Sequence, residues 1–345
     1  MHLFILDYYT SLDNFAPIIY KLLNSNKKVC VCNTHPVKNY GREKLIIFLK
    51  QYKNFSIINS YEIGFKAKIF HFPIKLLTLL PKQLICGRNI WKKIAKRINF
   101  INEKVFLDFI KKNLISSITC DNVLLRNKQI KLKNICIKAN VPFIIYFPGA
   151  NLPVYKKENK NFLTLSLSNY NLISNKLCFI KDDYKKKNYF SGMARYNLEW
   201  YDILKMIYKK IDSKKNEKLK VVAFSHNTQK NYINFKKLIN KLKNINFVDI
   251  IENNKPKDDF PEKCSMYNSE SFSATQLIDW SDIIIFNQSS SIFVEALHKN
   301  KIIINLEYLD IFDDRTNKDN YFYMKNIFKN FKNDEEFLNF IKKYK

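Results

Sequence analysis

"SDIIIFNQSSSIFVEALHKNKIIINLEY" occupies residues 281–308 and decides how the whole chain is read. Ile283 to Phe286 is an apolar, β-branched run of strand length. Ser290 to His298 carries Ile292, Phe293, Ala296 and Leu297 at helical spacing, and Ile302 to Ile304 is a second strand. Asn287, Gln288 and the three serines therefore fall between the carboxyl end of one strand and the amino end of the next helix. Open parallel sheets bind their ligands at that place. The unpaired N–H groups and positive dipole end of such a helix suit a phosphate.

The same alternation extends outward in both directions. "HLFILDYY" reads as a strand, "NFAPIIYKLLNSN" as a helix, "KVCVCNTH" as a strand, "EKLIIFLKQY" as a helix, and "FSIINS" and "SSITCD" as short strands. "KQIKLKNICIKAN" gives a helix, and "VPFIIYFPG" a strand that stops at Pro148-Gly149. Residues 151–187 read as irregular. A second series follows: the helix "NLEWYDILKMIYKKI", the strand "KVVAFSH", the helix "NYINFKKLINKLKN", the strand "NFVDIIEN" and the short helix "ATQLIDW". The tail "NDEEFLNFIKKYK" is a last helix, of the kind that packs back across an interdomain cleft. Strands alternating with helices imply parallel sheets. The expected fold class is α/β, with two Rossmann-like domains facing a cleft, divided at 1–185 and 186–345.

At 345 residues the chain is long for one core and suited to two. Its 46% hydrophobic content excludes a disordered protein. A net charge of +28 raises nucleic acid or anionic membrane as partners. The lysines are spread along the whole length, however, which reads as a solvated lysine surface. No helix-turn-helix, zinc-finger or aromatic RNA-binding signature accompanies the charge, so nucleic acid is not an expected partner. Seven cysteines without paired spacing argue against a disulfide framework. Cys30 and Cys32 alternate with Val29 and Val31, as small core residues of a strand do. "MHLFILDYYTSLD" has no basic leading region, and no run is long enough to span a bilayer. The expected location is cytoplasmic.

Five places carry candidate chemistry. Ser289, Ser290 and Ser291 can hydrogen-bond anionic oxygens, and Glu295, about one helical turn on, can accept from a ribose hydroxyl. A plain serine cap explains the same serines. The Ser-x-x-Glu box does not, because the residue three before Glu295 is Ile292. Phosphate site and cap stay equally open on spacing. Arg195, in "FSGMARYNLEWYDIL", can reach a diphosphate or be an ordinary surface arginine. His226, at the end of "KVVAFSH", can bind phosphate or move a proton. Asp13, in "YYTSLDNFAP", is a general base or the cap of the following helix. "IWKKIAKRINFINEKVF" places Ile90, Trp91, Ile94, Ile98 and Ile101 apart from Lys92, Lys93, Lys96 and Arg97. That pattern belongs to a membrane-surface helix or to a packed helix with a lysine exterior. No glycine-rich phosphate loop, nucleophile elbow or metal-spaced acidic set is present, so neither cofactor nor metal is expected.

"FSGMARYNLEWYDIL", "KVVAFSHNTQ" and "SATQLIDWSDIIIFNQSSSIFVEALHKNKIIINLEYLD" resemble, in that order, the C-terminal half of a family of bacterial surface-carbohydrate biosynthesis proteins. These are transferases of GT-B fold, distantly similar to the CDP-glycerol glycerophosphotransferases. "YYTSLDNFAPIIYKLLNSNKKVCVCNTHP" fits the family's opening, and related patterns also occur in sugar-nucleotide epimerases. The resemblance implies that Gln288, Ser289, Ser290, Ser291 and Glu295 hold the donor's nucleoside and diphosphate, with Arg195 and His226 nearby. It implies a nucleotide-activated sugar or alditol as donor and a glycan or lipid-linked acceptor. It also implies peripheral contact with the inner face of the membrane. Asp13 and His226 are the catalytic candidates. Two departures stand out. Pro148 precedes Gly149 where many relatives show His-Gly, and the loop between "DIIEN" and "KCSMY" lacks a lysine–proline–histidine element. They leave room for altered activity, down to a nucleotide-binding assembly subunit without turnover.

Overall fold

The computed structural model describes residues 1–6, 9–34, 43–60, 63, 103–121, 126–147, 170–173, 188–190, 194–208, 211, 218–225, 229–254, 272–286, 295–297, 299–306, 309 and 329–344. The chain divides into two compact units, Met1–Asn197 and Leu198–Lys345.

In the first unit the elements are β1 (His2–Leu6), α1 (Tyr9–Asn24), β2 (Val29–Asn33), α2 (Lys44–Leu49) and β3 (Phe55–Asn59). They continue with α3 (Glu103–Lys112), β4 (Ser117–Asp121), α4 (Arg126–Ala139), β5 (Phe143–Phe147), β6 (Tyr170–Ile173) and β7 (Asn188–Phe190). The strands form one parallel sheet in the order β3-β2-β1-β4-β5-β6-β7. Both faces are covered, as a parallel sheet requires. Successive side chains of a strand point to opposite faces. Leu3 and Ile5 accordingly join Cys30, Cys32, Ile118 and Cys120 against Phe106 and Ile110 of α3 and Leu132, Ile135 and Cys136 of α4. Phe4 points the other way, onto Phe15 of α1, with ring centroids 5.3 Å apart. Each such fully buried side chain contributes about 1.5–3 kcal/mol. Cys30, Cys32, Cys120 and Cys136 are buried free thiols, and burial pushes the Cys136 thiol up to about 12.

The second unit holds α5 (Leu198–Ile207), β8 (Leu219–Ser225), α6 (Gln229–Lys243), β9 (Val248–Asn254), α7 (Ala274–Trp280) and β10 (Ile283–Phe286). Helical residues 295–297, β11 (Ile302–Asn305), β12 (Lys329–Asn330) and α8 (Asp334–Lys343) complete it. Its sheet is parallel too, in the order β12-β11-β10-β8-β9. α7 begins on a full capping box: the Ser273 hydroxyl accepts from the Gln276 N–H, and the Gln276 side chain accepts from the Ser273 N–H.

α8 packs into the core of its own unit, where Phe337 and Ile341 are buried with Phe235, Ile285 and Ile304. Two expectations change. The segment read as irregular contains β6, and β7 follows directly after it. α1 begins at Tyr9, not Asn14, so Asp13 lies inside the helix and does not cap it.

Candidate functional site

Each sheet reverses its build direction once. The first grows from β1 through β2 to β3 and then resumes with β4 on the other side of β1. The second grows from β8 to β9 and resumes with β10 on the other side of β8. At such a reversal the two connections leave in opposite directions and open a crevice outside the carboxyl ends of the strands.

The strand ends there are polar. β2, β3 and β4 finish on Asn33, Asn59 and Asp121, and β8, β9, β11 and β12 finish on Ser225, Asn254, Asn305 and Asn330. The opposite edges begin mostly with apolar residues such as Val29, Phe55, Phe143, Leu219, Val248, Ile283 and Ile302. In the first sheet the polar ends are knit together. Asn33 Nδ2 donates to Asn59 Oδ1 at 3.0 Å, and Thr34 Oγ1 donates to the Leu6 carbonyl at 3.0 Å. Asn14 Nδ2, from α1, donates to Asp121 Oδ2 at 3.5 Å, the long end of the range. Asn14 is 4% exposed and Asp121 2%. The Ser11 hydroxyl and the Asn14 carbonyl oxygen are buried with no hydrogen bond among the described residues. Burying polar groups in this way is unfavourable unless a partner arrives, which makes this edge a candidate ligand site.

The structure brings some of the sequence candidates to this edge. Asp13 is exposed on α1, next to Asn14. Arg195 is half-buried in a single 3-10 turn, Ala194–Tyr196, that belongs to the first unit and packs against α1. In the second unit β8 and β10 lie side by side, with Phe224 opposite Phe286. His226 directly follows β8, and Gln288 to Ser291 begin two residues after β10. His226, Gln288, Ser289, Ser290 and Ser291 lie outside the described residues, as do the stretch from Ile90 to Ile101 and Pro148.

Glu295 is 2% exposed. It lies close enough to Tyr201 of α5 for its charge to act on the phenol. Burial first, then the hydrogen bond and charge of Asp279, then Glu295 and Asp202, raise the Tyr201 hydroxyl above its ordinary value. Tyr201 donates to Asp279 Oδ2, and its ring is flanked by Lys299 Nζ at 3.9 Å and Lys205 Nζ at 4.1 Å. Burial tends to raise the Asp279 carboxyl, but Tyr201, Lys299 and Lys301 outweigh it and hold it below its ordinary value. The cluster joins α5, α7 and the turn before β11. It fixes the end of the short helical segment that carries Glu295.

Sequence reading did not find Asp121 or Tyr201. Asp121 had one signal, a carboxylate closing an otherwise uncharged strand, "SITCD". Tyr201 had none. Among the described residues no group of three or more His, Cys, Asp or Glu is placed to hold a metal ion, and no helix is long and apolar enough to cross a membrane.

No protein-family model matches the chain, and no curated protein does. Solved structures do match. The S. aureus MnaA–UDP co-structure superposes with a TM-score of 0.55 at 13% identity, covering 89% of this chain and 79% of its own. CalG4, the calicheamicin glycosyltransferase, gives 0.52 at 8% identity, over 89% and 80%. The fold is GT-B-like. At these identities the likeness is one of architecture, and function rests on the residues at the two polar edges.

Proposed function

We propose that the chain is a GT-B-type transferase that moves a sugar from a nucleotide-activated donor to a surface-glycan acceptor. One observation supports this reading above the others: His226 and Gln288 to Ser291 follow closely in sequence after β8 and β10, the strands that flank the reversal of the second sheet.

In this reading the second unit, Leu198–Lys345, holds the donor. Ser289, Ser290 and Ser291 bind its diphosphate, and Gln288 and Glu295 bind the nucleoside. His226 and Arg195 stabilise the charge that collects on the diphosphate as it leaves. The first unit, Met1–Asn197, holds the acceptor. Asp13 takes the proton of the acceptor hydroxyl, and the Asn14–Asp121 pair steadies the helix that carries it. The acceptor oxygen bonds to the sugar carbon as that carbon's bond to the diphosphate breaks. The product is a glycoside, with nucleoside diphosphate released. No metal or cofactor enters these steps. The reading includes a glycan or lipid-linked acceptor and peripheral work at the cytoplasmic face of a membrane, with the basic stretch around Trp91 as one contact.

The resemblance to glycerophosphotransferases keeps alditol-phosphate transfer from a CDP-alditol as a second reading, and the related patterns in sugar-nucleotide epimerases keep chemistry on the nucleotide sugar itself. The products separate them. Incubation with a panel of nucleotide sugars and CDP-alditols is expected to release nucleoside diphosphate in the presence of acceptor. Release of CMP would mean alditol-phosphate transfer. An altered nucleotide sugar without acceptor would mean epimerisation. Binding without any product would mean an assembly subunit.

A further inference from the structure

The carboxyl edge of the first sheet is the candidate ligand edge; its amino edge has a different character. Backbone hydrogen bonds bring separate segments together there. The His2 N–H donates to the Lys28 carbonyl at 2.8 Å, and the Val29 N–H donates to the Asn54 carbonyl at 2.9 Å. The Asn54 amide donates to the Asn26 carbonyl at 3.4 Å. The Met1 amino group donates to the Leu114 carbonyl at 2.8 Å, and the Ser116 N–H donates to the Met1 carbonyl. The segments so joined, residues 1–2, 24–28, 51–54, 111–117 and 139–142, contain Lys27, Lys28, Lys53, Lys111 and Lys112 and no acidic residue. All five lysines are exposed. Their field is felt locally: burial first, then the amino terminus and Lys27, lower the pKa of His2. The carboxylates of α3 lie further along the helix. Asp108 precedes Lys112 by one turn, and Glu103 is engaged by Lys138.

Lysines are spread over the whole chain, so charge alone does not single out this edge. Leu114 does. Four non-glycine residues among those described have positive φ, and three are asparagines: Asn26, Asn140 and Asn300. Asparagine tolerates the left-handed region, and these sit at helix ends, where it is at home. The fourth is Leu114, at φ 49° and 81% exposed. A leucine is disfavoured there twice, by its backbone and by water. It stands two residues from Lys112, at the β4 end of the basic strip.

We propose that the amino edge of the first sheet is a docking face for an anionic phospholipid surface, with Leu114 as its apolar tip. The five lysines meet the phosphate charge, and the leucine enters the headgroup boundary that its conformation presents it to. The face lies at the opposite end of the strands from Asn14 and Asp121, so docking leaves the ligand edge open. This rests on the membrane part of the function proposed above and replaces its contact at Trp91 with a defined surface.

The test is flotation of the full chain with vesicles of phosphatidylglycerol in phosphatidylcholine, and of phosphatidylcholine alone. The wild type is expected to float with the anionic vesicles only, and less so as salt is raised. Each Lys→Gln change among the five is expected to weaken partitioning about fivefold. The combined Lys27, Lys28, Lys53, Lys111 and Lys112→Gln variant should weaken it by two orders of magnitude or more. Leu114→Asn should weaken it several-fold with an unchanged or higher Tm, which separates docking from misfolding. Flotation of the combined variant at the wild-type level would overturn the proposal. If the Lys92, Lys93, Lys96 and Arg97→Glu variant alone loses flotation, the membrane reading stands and this face falls. If the wild type does not float, both fall. Equal binding of a single-stranded RNA, lost in the same variants, would make the face a nucleic-acid site and overturn the lipid assignment. Nucleotide binding, measured on the same variants, is expected to be unchanged.

Discussion

Asn14 Nδ2 donates to Asp121 Oδ2 across the reversal of the first sheet, tying α1 to the last residue of β4 over a separation of 107 residues. Both side chains are buried, so the contact is made in a medium that screens it little.

Asp121→Ala removes the acceptor and leaves the Asn14 amide buried without it. Such a loss costs about 1–3 kcal/mol, and the low end applies to a contact this long. Asp121→Asn keeps the volume and an acceptor oxygen and is expected to cost less than half as much. Urea unfolding of both variants measures the difference. Equal stability of Asp121→Ala and wild type would mean that the pair does not hold α1.

Tyr201 and Asp279 make stability depend on pH in two places. The Tyr201 hydroxyl is held above its ordinary value, so its contribution is intact below about pH 10 and fades as the pH climbs past it. The Asp279 carboxyl is held below its ordinary value, so its contribution is present above about pH 4 and fades as the pH falls. Tyr201→Phe keeps the ring between Lys205 and Lys299 and removes only the hydroxyl. It should cost about 1 kcal/mol at pH 7 and less at pH 3, since half-exposed pairs are worth little. An equal loss at both values would remove Asp279 as the partner that matters.

Leu114→Asn should stabilise the chain. The left-handed conformation costs an ordinary residue about 1–2 kcal/mol, and asparagine recovers part of it. A gain of about 0.5–1 kcal/mol in unfolding free energy is expected. A loss would mean that Leu114 makes a stabilising contact in the free protein and is no docking tip.

Removing metal should change nothing. The residues assigned to the donor and acceptor edges are serines, amides, one arginine, one histidine and separated carboxylates, which stabilise charge without a divalent ion. Turnover should survive EDTA and dialysis. Activity lost to chelator and restored by manganese would contradict the assignment.

Much of the fold was legible because its strands are short, β-branched and buried on both faces. "ATQLIDW" and "IIIF" coincide with α7 and β10 to the residue. What escaped has physical reasons. The start of α1 was hidden because Ser11 and Asn14, polar residues that ordinarily cap, are buried here inside the helix. Asp121 was visible only as the end of a strand, since nothing local reveals a partner 107 residues away.

In the proposed function the second unit binds a nucleoside diphosphate through the residues between β10 and Glu295. Isothermal titration of UDP, CDP, GDP and TDP, on wild type and on the double variant Ser290→Ala, Ser291→Ala, measures that binding. At least one of them is expected to bind the wild type. Each lost hydrogen bond to phosphate is expected to cost about 1.5–3 kcal/mol, one to two decades in Kd, at unchanged Tm. A lower Tm by about 1 kcal/mol of stability with unchanged Kd would mean that the serines only cap a helix. No binding of any nucleotide to the wild type would contradict the account outright.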